Sequence, residues 1–158
     1  MTGNRSRFRD GFRRARLLLS VLTIAAAVMA SVLVNAGPAM AYPRTGYSAG
    51  DSSSGLVSGN FIWYNRSVQV GGTLYAPLLT EWGTAVVYSA YSSSGKMVAR
   101  AARPGDGVYL YSGKLGHGFT LDASSVVGGI RHIDVTIWVR NPATGQTWQW
   151  GTITYARP

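Results

Sequence analysis

The sequence predicts an all-β chain: a single antiparallel β-sandwich, or an open barrel, of about seven to nine short strands behind a secretory signal peptide. Three observations carry that expectation. From Leu56 onward, short runs rich in Val, Ile, Thr, Tyr and Trp alternate with turns containing Gly, Ser and Pro. No long stretch of this region has the apolar spacing of an amphipathic helix. Ile133, Val135, Ile137 and Val139 alternate strictly with their neighbours, the pattern of a strand with one buried face.

The first 41 residues have the layout of an export signal. Met1 to Arg16 holds six arginines and one acid, Asp10. Leu17 to Val34 is an uncharged run of 18 residues, and Ala39-Met40-Ala41 is a small-x-small cleavage pattern before Tyr42. A basic region, an apolar region and such a site, in that order, make a secretory signal peptide. The apolar run also reaches the minimum for a membrane span, so an uncleaved anchor is the alternative. The break at Gly37-Pro38 favours cleavage. Arg13-Arg14 leaves the twin-arginine route open. The expected product is a secreted, extracellular protein that meets the membrane only through the signal segment before cleavage. Thirteen arginines against two lysines, Lys96 and Lys114, match the codon bias of a GC-rich bacterium.

Residues 42–55 are rich in Gly, Ser and Pro and weakly apolar, which predicts a flexible N-terminal arm before a domain spanning 56–158. Phe61–Tyr64 and Ser67–Val70 are the first expected strands. Gly71-Gly72 reads as a two-residue turn into Thr73–Ala76, which Pro77 ends. Leu78 to Trp82 reads as one helical turn or a loop. Thr84–Tyr91 is a strand that Ser92–Gly95 turns back into Lys96–Ala102. Arg103-Pro104-Gly105-Asp106-Gly107 is a turn, followed by strands at Val108–Tyr111 and Phe119–Leu121. Asp122–Val126 has the composition of a capped helical turn. Arg131–Asn141 and Gln146–Tyr155 then form a hairpin around Pro142–Gly145.

That hairpin decides where the tryptophans go. With Asn141 and Gln146 flanking a four-residue loop, Val139 faces Trp148 and Ile137 faces Trp150. Trp148 and Trp150 then join Ile133, Val135, Ile137 and Val139 in the core. The opposite face carries His132, Asp134, Trp138 and Arg140, with Gln149, Gly151, Ile153 and Tyr155 across from them. On this half-polar face Trp138, Gln149, Asp134, His132 and Tyr155 are the candidate ligand-binding residues. A slip of one residue would exchange the two faces.

The chemistry of the chain is mostly a matter of what it lacks. It has no cysteine, which excludes a disulfide framework, a thiolate metal site and a catalytic thiol. Gly50-Asp51-Ser52-Ser53-Ser54-Gly55 superficially resembles a serine-hydrolase nucleophile segment, but no histidine precedes Ser52 after Tyr42, and His132-x-Asp134 stands in the wrong order for the lipase type. His132 and Asp134 are too few for a zinc site, and His117 reads as part of a loop. No metal, no cofactor and no catalytic residue is therefore expected. The formal charge of +9 is inflated by the signal, which supplies five of it; the nine remaining basic residues are scattered and leave no nucleic-acid footprint.

These readings converge on a secreted, non-enzymatic binding module. Its expected partner is a polysaccharide or cell-envelope glycan, which stacks on aromatic rings through its C–H faces. The alternatives are a protease inhibitor or other module that presents the 103–107 loop to an extracellular protein, and a structural surface protein.

Overall fold

In both halves of the fold the apolar residues sit at every second position, and burial follows that alternation. The computed structural model describes residues 42–77 and 82–158; the expected signal segment and most of the 78–82 turn lie outside the described residues. Eight strands and no helix make up the described chain: β1 (Arg44–Asp51), β2 (Gly55–Trp63), β3 (Ser67–Ala76), β4 (Gly83–Tyr91), β5 (Met97–Arg103), β6 (Gly113–Asp122), β7 (His132–Arg140) and β8 (Thr147–Ala156). They form two antiparallel four-stranded sheets, ordered β1-β2-β3-β6 and β5-β4-β7-β8. β1 lies against β8 and β5 against β6, so the sheets face each other as a β-sandwich.

The core is the set of inward residues from both sheets. Val57, Phe61, Trp63, Val68, Val70 and Leu74 come from the first, and Val86, Tyr88, Ile133, Val135 and Ile137 from the second, all essentially without solvent contact. Trp63 is fully buried, and its indole N–H donates to Thr45 Oγ1 at 2.9 Å. Burying a ring of that size without a disulfide is how a domain this small is held together.

The expected flexible arm is corrected by β1. Residues 44–51 pair along their whole length with β2, Arg44 opposite Ile62 through Asp51 opposite Gly55. Only Tyr47 and Ala49 carry the apolar alternation, too short a signal among glycines and serines, yet both are buried. Ser52, Ser53 and Ser54 belong to the β1–β2 turn, where Asp51 Oδ1 accepts from the backbone N–H and hydroxyl of both Ser53 and Ser54 at 2.7–2.9 Å.

Gly71 and Gly72 are not a turn either; they lie inside β3. Tyr47, Gly59, Gly72 and His117 are paired in one row across the first sheet. The Tyr47 ring lies over the two glycines. A Cβ at Gly59 would lie 2.8 Å from Tyr47 Oη, and one at Gly72 would overlap that oxygen and approach Ser58 O to 2.6 Å. The phenol thereby reaches Tyr88 Oη at 2.9 Å and His117 Nε2 at 3.3 Å, and Tyr88 Oη is 2.7 Å from the same nitrogen. His117, expected in a loop, is thus an inward residue of β6. Asp122–Val126 is a turn rather than a helix, with Asp122 Oδ1 accepting from Ser124 N–H at 3.0 Å.

The β7–β8 hairpin closes as the even loop requires: Asn141 N–H donates to Gln146 O at 2.9 Å, and Val139 stands opposite Trp148. A β-bulge then intervenes. Trp138 pairs with Gln149 but Ile137 with Gly151, leaving Trp150 as the extra residue. Beyond it every β8 residue is on the face opposite to the expected one: Ile153 stands across from Val135 and Tyr155 across from Ile133. Ile133, Val135, Ile137 and Val139 are buried. The two tryptophans are not core. Trp150 is 48% exposed, and Trp148, half-buried, rests edge-on against Trp82 at 4.4 Å. The physical reason is position: among the described residues β8 is the last strand of its sheet, with no further strand to bury its large side chains.

Candidate functional site

A concavity with a large aromatic wall lies on the outer face of the β5-β4-β7-β8 sheet. Its floor is made of small residues: Ala85 stands opposite Trp138, and Val87 opposite Ala102. Trp138 rises beside that low floor as one wall. The other wall is the chain between β5 and β6, which leaves the sheet after Arg103 and rejoins β4 where Leu110 and Thr84 exchange backbone hydrogen bonds of 2.8 Å. Between those points Gly105, Asp106, Gly107 and Tyr109 fold over the sheet, with Val108 N–H closing the turn on Gly105 O at 3.1 Å. The partly open cleft is about 210 Å³ and also meets Arg100 and Thr147.

Charge is arranged along this wall. The Arg100 guanidinium donates to Asp106 Oδ1 and ties the turn to β5. Both groups are largely solvated, so the pair contributes at most about 1 kcal/mol to stability and serves mainly to position the turn. At the end of the face Arg140 lies over the Tyr109 ring, 5.8 Å from its centroid, and its buried Nε has no hydrogen-bond partner among the described residues. A second, shallower depression crosses the outer face of the other sheet, lined by Gly46, Ser48, Ser58, Asn60, Gly71 and Thr73, with no exposed aromatic wall.

The candidate residues are dispersed by the fold. Trp138 is in the cleft. Gln149 is adjacent on β8, its amide donating to Thr152 Oγ1 at 2.9 Å. Asp134 accepts from Thr154 Oγ1 at 2.6 Å, and His132 stacks flat on Tyr91 with centroids 4.9 Å apart. Both share the face but stand further along β7. Tyr155 does not belong there: the bulge turns it inward against Tyr47 and Phe61, where its hydroxyl donates to Ser48 O at 2.6 Å and accepts from Ser48 N–H at 2.9 Å. Tyr109, Arg100 and Asp106 were not legible as site residues, because their approach to Trp138 depends on how the β5–β6 connection folds. The Arg-Pro-Gly-Asp-Gly run was the one signal in that region.

Catalytic geometry around the serines is poor. Ser54 O accepts from Thr84 Oγ1 at 2.8 Å, and Thr84 pairs with Val139. His132 is seven positions back along β7, roughly 23 Å away at the usual rise per residue. The turn carboxylate, Asp51, is held well below the usual range by the hydroxyls and N–H groups of Ser53 and Ser54. Among the described residues no three of His, Cys, Asp and Glu converge as metal ligands.

The fold and the cleft define an antiparallel β-sandwich with an aromatic-walled recess on one sheet face. Compared with family models, with characterised proteins and with solved structures, the chain matches none.

Proposed function

We propose that the protein is a secreted, non-enzymatic binding module for a polysaccharide or cell-envelope glycan, and that the sugar is held against Trp138 on the outer face of the β5-β4-β7-β8 sheet. The observation that carries this is the cleft itself: two aromatic side chains, Trp138 and Tyr109, around a low alanine floor, with Arg100, Asp106 and Thr147 at its rim. An indole face offers apolar contact to the C–H side of a pyranose, and rim groups of this kind hydrogen-bond hydroxyls. At about 210 Å³ the recess is smaller than a drug-sized pocket of about 300–1,000 Å³ and suits one ring of a longer chain. The open face continues past Gln149 and Asp134, where neighbouring rings of a polymer can lie.

The separation of His132 from Ser54, and the engagement of Asp134 by Thr154, support the reading without catalysis. The protein-interaction alternative draws on the same 103–107 turn, but there Asp106 is tied to Arg100 and both glycines face the cleft. A pull-down on insoluble glycans, run beside a panel of secreted proteases, tests the proposal. Retention on a glycan that Trp138→Ala abolishes supports it. Capture by a protease with no glycan retention would replace it with the inhibitor reading.

A further inference from the structure

We infer that β8 is a self-pairing edge, through which two copies of this chain join their β5-β4-β7-β8 sheets into one continuous sheet across a twofold axis at Ile153. A sandwich of two open sheets has four edge strands, and each is a template for unwanted pairing unless something blunts it. Here three are blunted. On β1 the outward N–H and C=O of Ser48 are both occupied by the Tyr155 hydroxyl, at 2.9 and 2.6 Å. β5 carries Arg100 and Arg103 and runs into the turn over the sheet. β6 carries Lys114 and three glycines, and Arg103 reaches over its Phe119 ring at 4.1 Å from the centroid, closing that side.

Past its bulge at Trp150, β8 has none of these devices. Thr147 to Ala156 contains no charged side chain and no proline. Its backbone phase can be read from the pairing. Arg157 N–H donates to Arg131 O at 2.9 Å, so the pairs in step with it, Tyr155 with Ile133, Ile153 with Val135 and Gly151 with Ile137, bond toward β7. The N–H and C=O groups of Thr152, Thr154 and Ala156 therefore point away from the sheet, in a regular run that starts just past the bulge.

The occupant that fits this run is a second copy. Ile153 is on the core side of its strand, beside buried Val135, yet it is 43% exposed, and no strand of the described residues pairs beyond it. An antiparallel partner centred on Ile153 sets Thr152 of each copy against Thr154 of the other. Those are the outward-bonding residues, and both are β-branched. It also brings the two Ile153 side chains together at a non-hydrogen-bonded pair, where Cα atoms approach to about 4.5 Å. No charge on one strand meets a like charge on the other. The pairing is isologous, as a twofold requires. A single strand edge is a small interface, under about 1,200 Å², so the dimer is a weak and concentration-dependent one. Both outer faces end on the same side of the joined sheet, which places two Trp138 clefts side by side and raises avidity for a polymer. That consequence rests on the glycan reading; the dimer itself does not.

The test uses the protein expressed as the full chain and purified in the form the cells yield. Sedimentation velocity from low to high micromolar concentration should show a monomer moving toward a dimer. Thr154→Pro removes an outward backbone donor, together with the side-chain bond to Asp134, and should weaken association at least tenfold, with Ile153→Lys as a second variant that keeps that bond. Because the chain has no cysteine, Ile153→Cys should form a disulfide-linked dimer on mild oxidation, whereas Thr152→Cys and a surface control, Ser93→Cys, should link far more slowly. A wild-type protein that stays monomeric throughout, or an Ile153→Cys variant that links no faster than Ser93→Cys, would overturn the inference whether or not a glycan binds.

Discussion

Gly72→Ala and Gly71→Ala are adjacent, chemically identical changes in β3 that should have opposite consequences. A Cβ at Gly71 meets nothing within 4 Å on the outer face, whereas one at Gly72 overlaps Tyr47 Oη and presses on Ser58 O. The Gly72 change must push the Tyr47 ring away from Tyr88 and His117. Overpacking of this kind costs about 1–3 kcal/mol, and loss of the buried Tyr47–Tyr88 hydrogen bond adds about 1 more. We expect a total of about 2–4 kcal/mol, seen as a fall in melting temperature of about 8–16 °C for a domain of this size. Gly71→Ala should lie within about 0.5 kcal/mol of wild type, or slightly above it, because the alanine restricts the unfolded chain. Thermal and urea unfolding measure both. Adding Tyr47→Phe to the Gly72→Ala variant removes the overlapping oxygen and should recover part of the loss, a coupling that a double-mutant cycle reports directly. Equal effects at positions 71 and 72, or no coupling to Tyr47, would refute the view that the glycine row exists to carry that ring.

Trp138→Ala should weaken glycan retention while costing only about 1 kcal/mol in stability, well short of the 3–5 typical of a core tryptophan, and a melting curve beside the pull-down separates the two. Trp150→Ala should cost under about 1 kcal/mol, against about 2–5 for Ile137→Ala on the neighbouring strand; equal losses would put Trp150 back in the core. His117 is pushed below the usual histidine range, first by burial and further by Arg103, with a Leu115 backbone bond opposing. Its protonation is therefore taken up more readily by the unfolded chain, so stability is full above about pH 6.5 and falls as pH drops through the lowered value, by at most about 1.4 kcal/mol per pH unit. Urea midpoints across that window should show the slope in wild type and lose it in His117→Gln. Ala substitutions at Ser52, His132 and Asp134 should leave any activity found in the protein unchanged; a large rate loss in a folded variant would make it an enzyme.

What could be read from the sequence was whatever depended on alternation alone. Ile133 to Val139 announced a one-sided strand, and the spacing of turns announced two antiparallel sheets. What could not be read depended on partners distant in the chain. β1 has two apolar residues, and their burial depends on a row of glycines in β2 and β3 that makes room for Tyr47. Gly72 of that row, standing next to Gly71, looks like half of a hairpin turn until the ring above it is known. His117 looked like a loop residue because it sits between two glycines; its strand is fixed by pairing with Gly72. The cleft around Trp138 was half legible: the indole was placed on the correct face, and its opposite wall required the path of the β5–β6 connection.

The bulge at Trp150 shows most sharply why one local event outweighs a long pattern. Counting from the loop gives the pairing correctly as far as Trp138 and Gln149, and one inserted residue then reverses every later side chain on β8. The reversal has a structural return. It turns Tyr155 inward, where its hydroxyl occupies the exposed backbone of β1 at Ser48, and it moves Thr152 and Thr154 outward beside Thr136 and Asp134, to which they hydrogen-bond at 2.8 and 2.6 Å. Without the bulge, β8 would present Tyr155 to solvent and leave the β1 edge uncovered. The bulge thus protects one edge of the sandwich, and beyond it β8 is left as the regular, uncharged edge.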